Sequence, residues 1–538
     1  MTQSAPDWMI LDRYVHRRDD KEAFPDESSA PLRASSYTSL GQKFEVAFLP
    51  ANPPAISRFY VRWPGGTKPE EGDGTDIVAA NRDLVLLRLT SVEYLEKSPY
   101  LKYTQDHFFC IASPEPDTHL QLKRLPVCRK KVTIPPSDNE EQETVLPYVF
   151  FPNTVGLLRE FVNGSDEDDF VVAQLDKVSP IPGRRRMVAE VCVLRSRLSS
   201  DDGDGMWEVE KIEIQHEDVD YNGLWYWSTD DVVTFNKCIC WVDYHRGGIL
   251  FYDALKEKPT ISYRRLNINN TSSTSCQTLP GMSRSLCMTR EIDRKGYLGN
   301  AVLRFVDITR SDSCIFGPLE LGSGFTIKSS TLSSQGSVWV EDVNITSEDL
   351  WISNISSGLP HEVLMFPLVS TQNFNEVHFL VSQYVEEIKK VSMVSLDLSN
   401  KEVLDIVPYM AGGEDIDMVK EKSHLLKGFI SSRFPMFLKT KPGRREMLDG
   451  AEAAGARAFS AFRFRKSRAA RAEASEPGPA TKAKPATEHQ AAGAARAGAS
   501  EAGPATTMEH QAAGAARAGA SEARPATKAK PATEHRRV

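Results

Sequence analysis

The sequence predicts an all-β fold: a β-propeller-like body of repeated short antiparallel strands, then a C-terminal helix and a disordered tail. Three observations carry that expectation. Short runs of β-branched, aromatic and aliphatic residues alternate with turn residues up to about residue 410, a strand–turn–strand unit recurs, and the composition changes abruptly after residue 450. Four segments follow: an N-terminal stretch at 1–25, an all-β body at 26–410, a helix and linker at 411–450, and a low-complexity basic tail at 451–538.

The strand runs are four to eight residues long, among them Phe44–Leu49, Phe59–Trp63, Leu84–Leu89, Phe108–Ala112, Met187–Leu194, Ile249–Asp253 and Val377–Val381. Gly, Pro, Asn, Asp and Ser clusters separate them, and no helical period is sustained across the region. Residues 1–25 mix apolar and charged side chains ahead of the first clear strand.

The recurring unit is weak but periodic. Phe108–Ala112 is followed by Leu122–Pro126, and Ile249–Asp253 by Tyr263–Leu266, so Ile111 to Leu125 and Tyr252 to Leu266 are equally spaced. Met393–Asp397 and Val403–Pro408 repeat the pattern with a shorter turn. Each pair reads as an inner strand, a polar turn and an outer strand. A blade of this kind buries its faces only against its neighbours, which lets one domain run to several hundred residues. Two β-sandwiches, or a sandwich with a barrel, are the competing arrangements.

After Gly412–Gly413, acidic Glu414, Asp415 and Asp417 suit a helix N-terminus. Met418, Leu425, Leu426, Phe429 and Ile430 share a broad face, so a helix over Ile416–Arg433 is expected, ended by Pro435. Beyond Ser467 the only large apolar residues are Met508 and Val538, and two Ala-rich motifs repeat. Such a segment buries too little apolar surface to offset its ordering entropy.

Charge is divided unevenly. The chain carries a formal −8, and residues 451–538 hold 15 Lys/Arg against 8 Asp/Glu, or +7, which leaves −15 on residues 1–450. An acidic body repels phosphate backbones, so nucleic-acid contact is expected only weakly and through the tail, where Arg463, Arg465, Lys466 and Arg468 interleave with Phe462 and Phe464. No secretory signal and no apolar run long enough for a membrane span appears, so an intracellular location, cytoplasmic or nuclear, with reduced cysteines is expected.

No nucleotide, serine-hydrolase or metalloprotease motif occurs, and no cofactor is expected. Cys238–Ile239–Cys240 with His245 is the best metal candidate, because residues two apart in a strand share a face. A fourth ligand is missing, and two cysteines on an apolar strand face explain the pattern equally well. The segment from Cys240 to Asp253 is the most distinctive. Two apolar strands flank a polar turn ending in Gly247–Gly248, and Asp243, His245 and Arg246 form a candidate interaction turn. The plainer alternative is that Asp243 hydrogen-bonds the turn backbone.

That segment, through Trp241, Asp243, Gly247, Gly248, Ile249, Leu250 and Asp253, resembles a plant family known mainly from grasses, domain of unknown function 1618. Trp8–Leu11–Asp12–Arg13, Phe24–Pro25–Asp26 and Ile77–Leu84 resemble the same family, and the likeness extends over residues 6 to 430. It implies kinship but no mechanism, since the family has no established activity. Trp241, Gly247, Gly248 and Asp253 are expected to be structural members of its signature. The repeat unit is also similar to propellers that follow F-box motifs, although the N-terminal segment lacks the leucine-rich helical pattern of an F-box.

Two function classes follow. Repeat architecture without a catalytic motif suggests a non-enzymatic module that binds a protein partner of unknown identity across one face. The alternative is a hydrolase or lyase with a site assembled in a central channel, for which His107, His216, His245, His361 and His378 are the candidate acid/base groups.

Overall fold

A computed structural model describes residues 6–439, apart from 68–74, 95–100, 114–119, 135–141, 152, 161–168, 198–206, 269–279, 293–297, 313, 315–316, 333–337, 386 and 410–427. The tail expected at 451–538 and most of the helix expected at Ile416–Arg433 lie outside the described residues.

The strands fall into six blades. The first holds β1 (Met9–Arg17), β2 (Leu32–Tyr37), β3 (Lys43–Leu49) and β4 (Ile56–Arg62), and the second holds β5 (Thr75–Asn81), β6 (Leu84–Tyr94), β7 (Leu101–Ala112) and β8 (Leu120–Arg124). A separate hairpin, β9 (Arg129–Ile134) and β10 (Gln142–Pro147), precedes the third blade, formed by β11 (Val155–Glu160), β12 (Asp169–Pro180), β13 (Met187–Arg197) and β14 (Glu208–Gln215). A short helix α1 (Tyr221–Trp225) leads into the fourth blade, β15 (Asp231–Phe235), β16 (Cys238–Asp243), β17 (Gly248–Asp253) and β18 (Thr260–Arg265). The fifth is β19 (Arg284–Ile292), β20 (Leu298–Arg310), β21 (Phe325–Leu332) and β22 (Trp339–Thr346), followed by α2 (Ser347–Ser353). The sixth is β23 (Leu364–Val369), β24 (Glu376–Val385), β25 (Glu387–Asp397) and β26 (Glu402–Pro408).

The ring closes at the first blade. Strand β27 (Phe429–Ser432) pairs antiparallel with β1, from Met9↔Ser432 to Asp12↔Phe429, ahead of a short helix α3 (Phe434–Phe437). The innermost strands β5, β11, β15, β19, β23 and β27 contact one another in that order, and β27 returns to β5. The first and last described strands thus share a blade, which removes the open edge an unclosed sheet would present.

The packing explains the apolar runs. In β6, Val85, Leu87 and Leu89 face the first blade's Phe44 and Phe59, whereas Leu84 and Leu86 face Val155 and Phe170 of the third. In β16, Ile239 and Trp241 face the third blade and Cys240 and Val242 the fifth. Successive side chains point to opposite faces, and here both faces are buried, so the strands read as continuous runs rather than alternating ones.

The repeated unit is the outer half of a blade, not an inner strand with its neighbour. Phe108–Ala112, Ile249–Asp253 and Met393–Asp397 lie in third strands, each paired to the outermost strand. The Leu125 and Leu266 amides donate back to the carbonyls of His107 and Gly247, at 2.8 Å each, and close the two hairpins, but the registers differ by one residue, since Ile111 pairs with Gln121 and Tyr252 with Ile261.

Two expectations need correction. The stretch before residue 26 holds a core strand, β1, which the buried Asp12 and His16 disguise as a mixed segment. The end of the expected helix, Phe429–Ser432, is instead the closing strand, because pairing with β1 satisfies its backbone while Phe429 and Ile430 stay half-buried; Pro435 stands in the first turn of α3 rather than ending a helix.

Candidate functional site

The Asp243–Arg246 turn is built as a structural element. Asp243 is wholly buried and accepts from the amides of Ser228 (3.0 Å) and Arg246 (2.7 Å) and from the Arg246 guanidinium (3.3 Å). His245 and Arg246 are exposed. Gly247 has φ +71°, and a Cβ on Gly248 would lie 2.5 Å from Tyr263 and 2.9 Å from Trp227. Trp241 is buried, stacks on Tyr252 and donates Nε1 to the Thr154 carbonyl at 2.9 Å, while Asp253 pairs with Lys256. The signature residues therefore fix a turn and an interblade contact.

Beside the turn sit two further carboxylates. Asp230 accepts from the Tyr244 amide at 2.7 Å; burial, then the nearby Asp243 charge, pushes its pKa up to about 6. Asp231 accepts from the Tyr244 hydroxyl at 3.0 Å, and Arg13 donates to it at 3.2 Å. Burial raises the Asp231 pKa and the Arg13 charge opposes that rise.

Arg13 and Asp231 belong to the first and fourth blades, which stand opposite each other in the ring. Their ion pair crosses the central channel near the start of the inner strands. Arg13 also donates to the Val78 carbonyl of the second blade (3.1 Å), and the Tyr244 hydroxyl accepts from the Leu286 amide of the fifth (2.7 Å). Four blades thus meet in one polar floor.

Above this floor lies a cavity of about 210 Å³ whose lining draws on all six blades. Its wall is apolar: Leu158, Val232, Leu286, Leu368 and Ile430 each come from a different inner strand. Ala79, Ala80, Val232, Thr234 and Ile430 are only half-buried despite lying on innermost strands. Solvent therefore reaches this part of the channel. The strand ends form the mouth. There the Arg159 amide donates to Asn81 at 3.0 Å and Lys237 pairs with Glu160, contacts that show neighbouring inner strands running the same way. Among the described residues, Arg82, Lys237, Arg433 and Glu160 line the mouth, and Lys237 is paired with Glu160. Glu160 Oε2 and Thr371 Oγ1 are buried there without a hydrogen-bond partner.

None of the five candidate histidines lines this cavity. His107 and His378 are buried within blades, and burial lowers their pKa values to about 3 and about 4, with the Arg88 charge adding to the first. His245 and His361 are exposed. Cys238 and Cys240 face the fifth blade, and His245 lies past the far end of β16, so the three do not converge. Among the described residues no group of three His, Cys, Asp or Glu could hold a metal ion, and no helix is long and apolar enough to cross a membrane.

The residues that sequence reasoning missed are Asp231, Glu160, Lys237 and Thr371; Arg13 entered it only as part of a family pattern. The tandem acids Asp230–Asp231 ahead of Val232–Val233 were the available signal, since charge at the start of an apolar strand needs a partner.

Fold and channel together define a six-bladed propeller with a partly apolar channel above a polar floor. Residues 241–378 match the model of the family described as a protein of unknown function, DUF1618, and the resemblance seen at Trp241–Asp253 falls at the start of that match. No curated protein matches the chain.

Proposed function

We propose that this chain is a non-enzymatic interaction module whose partner enters the mouth of the central channel. One observation carries the reading: the channel is a partly apolar socket above a polar floor, and among the described residues no histidine or nucleophile–base pair lines it. A rigid ring of blades positions the mouth, and the turns after the inner strands supply its charges. The hydrolase or lyase alternative needs two titratable groups converging within hydrogen-bond reach of a reacting atom. The two carboxylates at the cavity, Asp231 and Glu160, are instead held by Arg13 and Lys237.

The test compares the full chain with Val232→Trp, which fills the channel, and with a His245→Ser/Arg246→Ser variant of the exposed turn. Partners are captured from extract and quantified by mass spectrometry. A partner lost from the channel variant and kept by the turn variant supports the reading. Capture unaffected by filling the channel overturns it, and loss from the turn variant alone moves the binding face to the opposite side of the ring.

A further inference from the structure

We propose that Cys128 and Cys192 form an oxidation site, a facing pair of thiols that hydrogen peroxide converts into a disulfide across the seam between the second and third blades. Neither thiol lines the channel, so the site is independent of the binding-module reading.

Cys192 sits in β13, anchored between Gln174 of β12 and Val209 of β14. Cys128 lies in the connection 125–128, which leads out of the second blade and belongs to no strand. Both are part of the apolar cluster that packs the second blade against the third, with Leu86, Phe109, Val155 and Val172. Although the two residues are 64 positions apart, their sulfurs meet at 3.4 Å, and both are thiols. A disulfide bond is about 2.05 Å long, so the sulfurs must close by roughly 1.4 Å. Cys128 is in no strand ladder, so its connection can make that shift while β13 stays paired on both sides.

A void of about 20 Å³ lies beside both thiols, lined also by Arg129, Tyr148, Asp176 and Trp207. It has room for about one water, and each cysteine is only 4% exposed, so the oxidant must be small. Hydrogen peroxide meets that limit, and glutathione disulfide does not. Arg129, next to Cys128 and on the same void, favours the thiolate that attacks, whereas Asp176 is engaged by the Tyr148 hydroxyl. The Cys128 thiolate attacks one peroxide oxygen and the O–O bond breaks. The departing hydroxide takes up the proton that the thiol released, which leaves a sulfenic acid and one water. The Cys192 sulfur then attacks the Cys128 sulfur, the S–O bond breaks, and hydroxide leaves with the Cys192 proton as a second water. The two sulfurs lose two electrons together, and the peroxide gains them. The new bond fastens a seam whose inner strands, through Ala79 and Leu157, also wall the channel.

The test treats the reduced full chain with hydrogen peroxide or with glutathione disulfide, blocks the remaining thiols with N-ethylmaleimide in denaturant, and maps every cysteine by peptide mass spectrometry. Peroxide is expected to yield a peptide pair linked through Cys128 and Cys192, at a dose that leaves buried Cys110 and Cys240 as thiols. Dithiothreitol should reverse the link, and the linked chain should melt about 5 °C higher. Glutathione disulfide should modify exposed Cys314 and neither member of the pair. In Cys192→Ser, dimedone should label Cys128 as a sulfenic acid at least ten-fold more than it labels Cys192 in Cys128→Ser. Cys128 and Cys192 left as thiols while Cys314 is oxidised, or linked only once the chain is unfolded, would overturn the proposal. Glutathione found on either member overturns the choice of oxidant, and labelling that favours Cys192 overturns Cys128 as the attacking thiol. The wild-type map decides the main point even where a variant does not fold.

Discussion

Arg13 and Asp231 lie 218 residues apart in the chain and meet at 3.2 Å across the central channel, one from each of two opposing blades. This contact ties the first blade, which closes the ring, directly to the far side. The pair is well shielded, with side chains 11% and 22% exposed, so removing one partner strands the other in a poorly hydrated place. Arg13→Met is expected to cost about 2–4 kcal/mol of stability. In Arg13→Met/Asp231→Asn much of that loss should be recovered, because no charge remains unpaired. Chemical denaturation of the wild type, both single variants and the double variant checks this; additive losses would show that the two residues do not interact.

Gly248 is expected to tolerate no side chain. A Cβ there would meet ring atoms of Tyr263 at 2.5 Å and of Trp227, just ahead of the fourth blade, at 2.9 Å. Gly248→Ala should therefore cost about 1–3 kcal/mol, as overpacking does. Gly65, with nothing within 4 Å of its Cβ position, is the matched control. A melting temperature unchanged in Gly248→Ala would refute the packing.

Closure of the ring depends on four residue pairs between β1 and β27, among them Leu11↔Ile430. Ile430→Pro removes an amide from that short ladder and constrains its backbone. Hydrogen exchange should then accelerate in β1 and β27 first, while the amides of the fourth blade keep their protection. Uniform loss of protection in all blades would mean that the ring opens only as a whole.

Two buried histidines set an acid limit. Burial lowers His378 to about 4 and His107 to about 3, against an ordinary value near 6.5. The unfolded chain then binds more protons than the folded one at pH values between the folded and unfolded pKa, so stability falls as pH drops below 6.5 and goes on falling to about 4. His378→Asn should flatten that part of the curve. Melting temperatures at pH 7.5, 5.5 and 4.5 measure the slope, and a slope the same in variant and wild type would remove His378 as its source.

Much of the fold was legible because blades are made of local hairpins. The runs Phe44–Leu49, Leu84–Leu89, Met187–Leu194 and Val377–Val381 all lie within strands, and their continuous apolar character follows from burial on both faces. The inner strands were much harder to see. Strand β15 begins with Asp231 and its next three side chains are half-buried, and β5 ends in Ala79–Ala80–Asn81, because these residues line a channel instead of a core. Residues facing a solvent-reachable cavity lose the apolar signature that sequence reading depends on. The Asp243 turn was conspicuous for the opposite reason, since paired glycines and a backbone-capping carboxylate announce a turn locally, whatever else they do.

The sequence by itself determined the strand content, the hairpins, the turn at Gly247–Gly248 and the division between an acidic body and a basic tail, all of which depend on neighbouring residues or on composition. Tertiary structure alone decided that β1 and β27 share a blade, that Arg13 reaches Asp231, and that Lys237, Arg82 and Arg433 gather at one mouth. Those relationships join residues up to several hundred positions apart, and they exist because the ring's circumference, set by six blades packing face to face, brings the first and last described strands and the opposite walls together.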